Sequence, residues 1–188
     1  LGAAEVATPL PPALGYWRDF GSRYVTAGCT LPGVNDELPR ARIPPPALQD
    51  LEALARAARV MHEEVQTLQA MRHPHVRPFR RVCGIPFGGL HLATAFSLRS
   101  RVPMIYIHPA KERNGSRVFV EGRYEPNETV LLIDDLVTSG GGIVETAEFL
   151  SRNAALQVKD VLVLLDRQEG ARELLREKGY NLISILGL

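Results

Sequence analysis

Residues 130–142 read VLLIDDLVTSGGG, and this stretch decides the fold. Its first four residues are apolar, too few for a helix and without the alternation of a half-buried strand, which predicts a strand buried on both faces of a parallel sheet. Asp134 and Asp135 stand where that strand is expected to end. A loop of hydroxyl and glycine residues follows at positions 138–142, and from Ile143 apolar residues recur at helical spacing. The stretch therefore predicts a strand, an acidic pair, a loop and a helix.

The predicted loop has the composition of a phosphate-binding site. Glycines allow backbone N–H groups to approach an anion closely, and the start of the next helix adds positive potential. Asp134 and Asp135 would repel a phosphate, so they are better suited to accept hydrogen bonds from sugar hydroxyls or to work beside a divalent cation shared with the ligand. The sequence thus predicts a ligand with both a phosphate and a vicinal diol, namely a ribose phosphate.

Other interpretations of the glycine-rich loop fit less well. A Walker A loop requires a lysine directly after its last glycine, and the sequence contains neither GKS nor GKT. A dinucleotide-binding fingerprint requires G-x-G-x-x-G directly after the strand, without two acids in between. Gly140, Gly141 and Gly142 taken alone are typical of a structural turn, and it is the acidic pair with Thr138 and Ser139 that favours a functional loop.

The composition fits one globular domain with a full α/β core. The chain has 188 residues, 45% hydrophobic and 23% charged, with a formal net charge of +1. So small a charge gives no electrostatic reason to expect nucleic acid or an acidic membrane surface as a partner. Neither a membrane span nor a signal peptide is predicted, and two cysteines, with Cys83 expected to be buried, favour a reducing compartment, the cytosol. From Leu1 and Leu188 we expect both ends to be cut from a longer protein.

Along the chain, apolar runs alternate with helical periods. Proline-rich residues 32–46 predict a loop, and apolar residues recurring from Leu48 to Leu68 predict an amphipathic helix. Further predicted elements are strands at 82–85, 102–107, 161–165 and 181–186, helices at 90–98, from 143 and at 170–178, a tight loop at 86–89 and a mobile loop at 111–117.

This alternation predicts an α/β fold in which a parallel sheet carries helices on both faces. Ligands of such sheets bind at the carboxyl ends of the strands, which places the expected site near Pro86, Asp134 and Arg167.

Two histidine motifs and one basic run have simpler explanations than function. His62-Glu63-Glu64 lacks the second histidine of a zinc-binding helix, because residue 66 is glutamine, and His73-Pro74-His75 has no cysteine or carboxylate beside it. The run Arg77-Pro78-Phe79-Arg80-Arg81 is interpreted as a solvated surface loop, with a nucleic-acid contact or a subunit interface as alternatives.

Residues 130–142 resemble the 5-phosphoribosyl 1-diphosphate (PRPP) motif of the type I phosphoribosyltransferases. VCGIPFGGLHLAT at 82–94, VEG at 120–122 and VLLDRQEGA at 163–171 extend the resemblance to orotate phosphoribosyltransferase, above all to the transferase domain of bifunctional UMP synthases. The resemblance implies a central, mostly parallel sheet flanked by helices as the α/β core at 46–188, and a small N-terminal hood within residues 1–45.

The resemblance also implies a reaction and its residues. PRPP and orotate would give orotidine 5′-phosphate and diphosphate in a cytoplasmic homodimer, with Mg²⁺ held mainly through PRPP and no direct protein ligand. The implied catalytic residues are Asp134, Asp135, Lys111 and Arg113. The implied PRPP-binding residues are Asp134, Asp135, Leu136, Val137, Thr138, Ser139, Gly140, Gly141, Gly142, Pro86, Phe87, Gly88 and Gly89. Thr138 and Arg167 are implied to bind orotate, with a surface salt bridge as the alternative role of Arg167.

The sequence departs from the family pattern at several site positions. His108 and Pro109 replace an Arg-Lys pair, Glu112 occupies the position of a catalytic lysine, and Thr26 that of a substrate-contacting lysine. Three alternatives to an orotate enzyme follow: a PRPP-binding homologue without transferase activity, a transferase for another base, and a nucleic-acid-binding regulator based on the 77–81 run.

Overall fold

The computed structural model of the protein describes residues 51–71, 75–112 and 115–187, and for residues 109–112 and 115–118 it describes the backbone alone. Leu54–Leu188 form one compact unit, to which the packing described below belongs. The predicted hood at 1–45, Thr26 and the His73-Pro74 pair lie outside the described residues. The domain boundary near residue 45 therefore stays a prediction.

Ten helices and strands alternate through the described part of the chain. In order they are α1 (Leu51–Ala70), β1 (Arg81–Gly84), α2 (Gly88–Ser100), β2 (Met104–Glu112), β3 (Gly115–Glu121), β4 (Thr129–Val137), α3 (Gly141–Ala154), β5 (Gln157–Asp166), α4 (Ala171–Glu177) and β6 (Asn181–Gly187).

The strands form one sheet with the order β3-β2-β1-β4-β5-β6. All neighbours are parallel except β2 and β3, which form an antiparallel hairpin at one edge. The sheet is thus mostly parallel, as predicted. Helical crossovers connect β1 through α2 to β2, β4 through α3 to β5, and β5 through α4 to β6.

β4 lies in the middle of the sheet and is buried on both faces, which explains its unbroken apolar run. Val130 and Leu132 pack in a cluster with residues of α3 and α4. Leu131 and Ile133, which alternate with them and point to the opposite face, are equally inaccessible. α2 covers that second face, where Ala93 approaches Gly84 of β1. The prediction of helices on both faces is confirmed.

The predicted amphipathic helix is confirmed as α1, with its buried face slightly rotated. Met61 and Val65 are buried as expected. The apolar period also predicted a buried Ala55, but Ala55 is exposed and Ala57 is buried instead. His62 in this helix contacts Phe96 of α2 edge-to-face, with ring centroids 5.5 Å apart, so its role here is packing. None of the described helices is long and apolar enough to cross a membrane.

The mobile loop expected at 111–117 is wrong as a secondary-structure prediction. Lys111 and Glu112 belong to β2 and pair with Ser116 and Gly115 of β3. β2 leaves its partner β1 after Tyr106 and continues six residues further, which is roughly 20 Å of extended chain. A hairpin arm, formed by residues 107–112 and 115–120, therefore projects beyond the sheet edge where ligand binding is expected.

The fold predicts that two leucine-to-alanine changes lower the free energy of unfolding by very different amounts. Leu162 is fully buried in β5, so Leu162→Ala should lower it by about 2–5 kcal/mol, because the loss of buried apolar surface and the cavity left behind both destabilise. Leu98→Ala in α2 is the matched control, since its side chain is 73% exposed and the change should stay within about 0.5 kcal/mol. Urea denaturation measures both, and equal losses would contradict the described core.

Candidate functional site

The candidate site begins where β4 extends beyond the end of its neighbour β1. β1 pairs with β4 only up to Ile133, whereas β5 stays paired with β4 as far as Val137. Asp134 and Asp135 therefore lie within the strand, not after it as the apolar run suggested. On the β1 side the place of a paired strand is taken by the turn at Pro86 and Phe87.

The β1–α2 turn packs directly against the acidic pair. A Cβ on Gly88 would collide with the carboxylate of Asp135, and one on Gly89 would lie 3.0 Å from the Cα of Asp134 and strike the carbonyl of Ile133. Only glycine fits such a close approach of backbone to side chain. The structure thus brings the predicted turn residues and the predicted acids together, with Phe87 beside them 79% exposed.

The two carboxyl groups influence each other strongly. Burial and the neighbouring Asp135 carboxyl raise the pKa of Asp134 well above its ordinary value, although backbone N–H groups of Asp135 and Gly89 act in the opposite direction. Each acid also accepts a hydrogen bond from the next backbone N–H: Asp135 N donates to Asp134 Oδ1 and Leu136 N to Asp135 Oδ1, both at 2.9 Å. The pair is fixed in place and poised to accept positive charge.

The glycine-rich loop opens toward solvent at the start of α3. Gly140 takes a left-handed conformation, with φ of +84°, and packs against Ala171 and Leu175 of α4, which anchors the loop. Ser139 and Gly142 are exposed, and within the described chain no heavy atom lies within 4 Å of a Cβ built on Gly142. No described side chain caps α3, so its first N–H groups remain available to an anion.

Thr138 and Arg167 lie next to each other across β4 and β5. The backbone N–H of Arg167 donates to the carbonyl of Val137 at 3.0 Å, and Thr138 follows directly. The Arg167 guanidinium pairs with Glu169 Oε1 at 2.7 Å and is 17% exposed. Its alternative role, a salt bridge at the strand end, is therefore observed.

The structure does not describe the side chains of Lys111 and Arg113, so their predicted roles stay predictions. Lys111 lies in the hairpin arm, of which only the backbone is described at this position, and Arg113 lies outside the described residues. His108, near the base of the arm, faces Glu121 with 4.0 Å between Nδ1 and Oε1. Among the described residues, no group of three or more His, Cys, Asp or Glu side chains is arranged to hold a metal ion.

Sequence reasoning missed two residues beside the site. His91 of α2 is half-buried, and Asp135 is near enough to act on its pKa, which burial lowers. Its position three residues after Gly88, on the same helix face, was the available signal. Glu169 was missed as the partner of Arg167, although only Gln168 lies between them. Cys83 is buried as predicted, and burial raises its pKa to about 12.

The basic run at 77–81 splits into separate environments. Arg81 pairs with Glu128 at 3.1 Å and donates to the Arg123 carbonyl, so it is not a free surface cation. Arg77 and Arg80 are exposed. The interpretation as a uniformly solvated loop holds for these two arginines and fails for Arg81.

Comparison with known proteins gives a consistent result. The chain is 38% identical over 141 residues to an orotate phosphoribosyltransferase of Caenorhabditis elegans, covering 75% of the chain and 62% of the relative. It is 31% identical over 135 residues to an orotate phosphoribosyltransferase of Pyrococcus abyssi, covering 72% and 70%. The chain belongs to the orotate phosphoribosyltransferase family. The chain is 33% identical over 144 residues to the bovine uridine 5′-monophosphate synthase, covering 76% of the chain and 30% of that protein. This similarity agrees with the predicted resemblance to UMP synthases.

Solved members of the orotate phosphoribosyltransferase family share the fold. The crystal structure of the Aeropyrum pernix enzyme superimposes with a TM-score of 0.62 at 31% identity, covering 75% of each chain. The predicted type I phosphoribosyltransferase fold is confirmed for the sheet and its helices. No family model matches the chain. The chain spans less than two thirds of the length of the first curated relatives.

The acidic pair predicts an unusual pH dependence of stability. Because the pKa of Asp134 is raised on folding, its protonated form contributes stability that is fully present below the ordinary pKa of 3.8 and is lost as the pH rises through the folded value. Asp134→Asn keeps the Oδ1 acceptor without ionising, so its unfolding free energy should exceed that of the wild type above this range and match it in acid.

Chemical denaturation between pH 4 and pH 8 measures the difference. Glu145→Gln, which neutralises an exposed acid on α3, is the control and should leave the wild-type pH profile unchanged. A loss of stability in Asp134→Asn at pH 7 would contradict repulsion within the pair.

Proposed function

We propose that the protein is an orotate phosphoribosyltransferase, transferring the 5-phosphoribosyl group of PRPP to orotate with release of diphosphate, in the synthesis of UMP. One observation carries the proposal: a fixed acidic pair and an open glycine-rich helix start follow each other at the carboxyl edge of a parallel sheet. A ribose phosphate offers hydroxyls to carboxylates and a phosphate to backbone amides, so it matches both parts. Family membership supports orotate as the base.

The phosphate would bind at the start of α3. Residues 138–142 would present backbone N–H groups and two hydroxyls, with Ser139 and Gly142 exposed and Thr138 and Gly141 half-buried. The positive end of α3 favours a dianion there, and no acidic residue occupies its first turn to compete. Leu136 and Val137 take part through their backbone, since they continue β4 and fix the distance between the acids and the loop.

The acidic pair would act on the sugar. Asp134 and Asp135 accept hydrogen bonds from the ribose hydroxyls and face positive charge that develops at C1 when the bond to diphosphate breaks. Their mutual repulsion, seen in the raised pKa of Asp134, is relieved by that charge. The pair thus stabilises the transition state more than the ground state, and no covalent enzyme nucleophile is required.

The leaving diphosphate would lie against the turn at 86–89. Gly88 and Gly89 let this backbone approach the acids, and no described side chain caps the start of α2. Mg²⁺ fits this site only as an ion held mainly through the oxygens of PRPP, since two adjacent carboxylates supply too few ligands for an octahedral cage. When bound, Mg²⁺ offsets the negative charge of the diphosphate.

The base would bind near Thr138 and Arg167. A guanidinium matches a carboxylate in a bidentate pair, and orotate carries a carboxylate. Arg167 would have to release Glu169 in order to pair with the substrate. The Glu169 side chain is 47% exposed, so it can move away. The hairpin arm would carry Lys111 and Arg113 over the diphosphate, from a neighbouring subunit of a cytosolic homodimer, where they supply cationic charge.

A second function is favoured by one observation. Glu112, at the position where the family pattern has a catalytic lysine, places a carboxyl group on the arm that would cover an anion. This favours a PRPP-binding protein that does not turn over, or one that uses another base, without changing the assignment of the phosphate loop.

Steady-state assays distinguish these functions. With PRPP, Mg²⁺ and orotate, the protein should form orotidine 5′-phosphate, and Asp135→Asn should lower kcat by on the order of 10²-fold or more. Turnover with another base in place of orotate would assign a different transferase. PRPP binding by calorimetry with no turnover of any base would assign the binding protein and overturn the enzyme.

Gly142 offers a direct test of the phosphate loop. Because its Cβ position is open, Gly142→Asp should fold, and an acid in the first turn of α3 should raise stability by about 0.5–1 kcal/mol. The same carboxylate should repel the 5-phosphate and weaken PRPP binding at least about tenfold, since charge-assisted hydrogen bonds contribute about 1.5–3 kcal/mol.

Gly142→Asn is the matched control, because it adds the same volume without the charge. It should retain most of the PRPP affinity measured by calorimetry, while thermal unfolding verifies that both variants fold. Equal affinity of the Asp variant and the wild type would show that the phosphate binds elsewhere.

A further inference from the structure

A second concave surface lies between α4 and β6. Its volume is about 430 Å³, within the range of small-molecule sites. We call it the basic pocket, defined by Arg77, Lys159, Arg172, Arg176, Tyr180 and Asn181. Four of these six side chains are cationic, although the chain as a whole carries a net charge of only +1.

Five of the six residues that define the basic pocket lie toward the amino ends of the strands, and the sixth, Arg172, also reaches Asp166 at the carboxyl end. Lys159 lies near the start of β5, seven residues before Asp166, which is level with Val137 at the other end of the sheet. Seven residues of strand span roughly 23 Å, and Asn181 lies at the start of β6 beside Asp160. A ligand here would bind at the amino ends of the strands and would not occupy the candidate catalytic edge.

Three of the cations form no ion pair in the part of the chain that the structure describes. Arg172 is engaged by the Leu182 carbonyl at 3.1 Å, Ser184 Oγ at 3.0 Å and Asp166 at 3.4 Å. Within residues 51–71, 75–112 and 115–187, the side chains of Arg77, Lys159 and Arg176 form neither an ion pair nor a hydrogen bond. Like charges gathered at a concavity repel each other, and a bound anion relieves that repulsion.

A buried acid beneath the pocket fixes its walls. Asp160, 4% exposed, accepts hydrogen bonds from the Arg77 backbone N–H at 3.0 Å and from Asn181 Nδ2 at 2.8 Å. Asn181 Nδ2 also donates to the carbonyl of His75 at 2.7 Å. Both oxygens of Asp160 are thus used to hold the segment before β1 against β6. The cations project from a scaffold that is held in place before any ligand arrives.

We propose that the basic pocket binds a nucleoside triphosphate. Guanidinium and ammonium groups recognise phosphate oxygens, and three uncompensated cations match a chain of phosphates better than a single one. The half-buried ring of Tyr180 lines the same pocket and offers an apolar surface on which a base can stack. A single-stranded nucleic acid is disfavoured because the cations converge on one cavity, and Arg81 of the same run is paired with Glu128.

The test measures UTP binding by calorimetry and does not use turnover, so its outcome is independent of the proposed transferase activity. Arg77→Gln with Arg176→Gln should weaken UTP binding at least tenfold. Arg123→Gln with Lys178→Gln is the matched control. It also removes two positive charges, but from exposed residues outside the pocket, and should change the affinity for UTP less than twofold. Lys159→Gln is an independent second variant, expected to weaken binding as well. On UTP binding, hydrogen exchange should slow around residues 176–182.

Several outcomes would overturn the proposal. Equal losses in both double variants would indicate general attraction of anions, and no measurable UTP binding would remove the site. Inorganic triphosphate binding as tightly as UTP would exclude a role for the nucleoside. Tighter binding of a single-stranded oligonucleotide, lost in an Arg80→Gln variant, would assign a nucleic-acid surface instead. Gly142→Asp, which alters the phosphate loop, should leave UTP binding unchanged, and a matching loss there would place UTP at the catalytic edge.

Discussion

The unequal pairing of β4 with its two neighbours is the constraint on which the candidate site depends. β5 supports β4 along its whole length, whereas β1 ends at Gly84. The acids are therefore held by a regular strand on one side and meet only the backbone of a tight turn on the other. Because a strand fixes direction and spacing, Asp134, Asp135 and the loop at 138–142 reach the sheet edge in a fixed order.

Local chemistry made most of this arrangement predictable from the sequence. The apolar run at 130–133, the glycines and the helical period after Ile143 each reflect short-range physics, so fold class and loop position followed. The end of β4 did not, because pairing with β5 carries the strand through two acids that have low strand propensity. Where one strand stops beside another is set by tertiary contacts and not by its own residues.

The hairpin arm shows a different kind of error. Residues 111–117 are polar and lack a clear period, which favoured a loop, yet the sequence contains Asn-Gly at 114–115, the strongest short-range hairpin signal. The alternating residues that follow pair with β2 from Glu121 back to Gly115. The pairing of Arg167 with Glu169 could not be predicted either. Side chains two positions apart meet only where the backbone bends, and that bend is not evident from the sequence.

The two proposed anion sites rest on different physics. At residues 138–142 the proposed attraction comes from peptide dipoles and open amides, with acids close by that repel any phosphate placed wrongly. At the basic pocket the proposed attraction comes from whole charges on flexible side chains, and the acid beneath accepts hydrogen bonds from the Arg77 backbone and the Asn181 side chain. The first arrangement favours ligands of a particular shape, and the second favours ligands of high negative charge.

The acidic pair also links the proposed sugar binding to the release of a proton. Hydroxyl groups that donate hydrogen bonds to Asp134 favour its ionised form, so a sugar that occupies the edge expels a proton to the medium at pH values near the raised pKa. The heat of such an association then includes the ionisation enthalpy of whichever buffer captures that proton. Titrations in phosphate and in Tris will differ by this amount, which counts the protons exchanged per sugar bound.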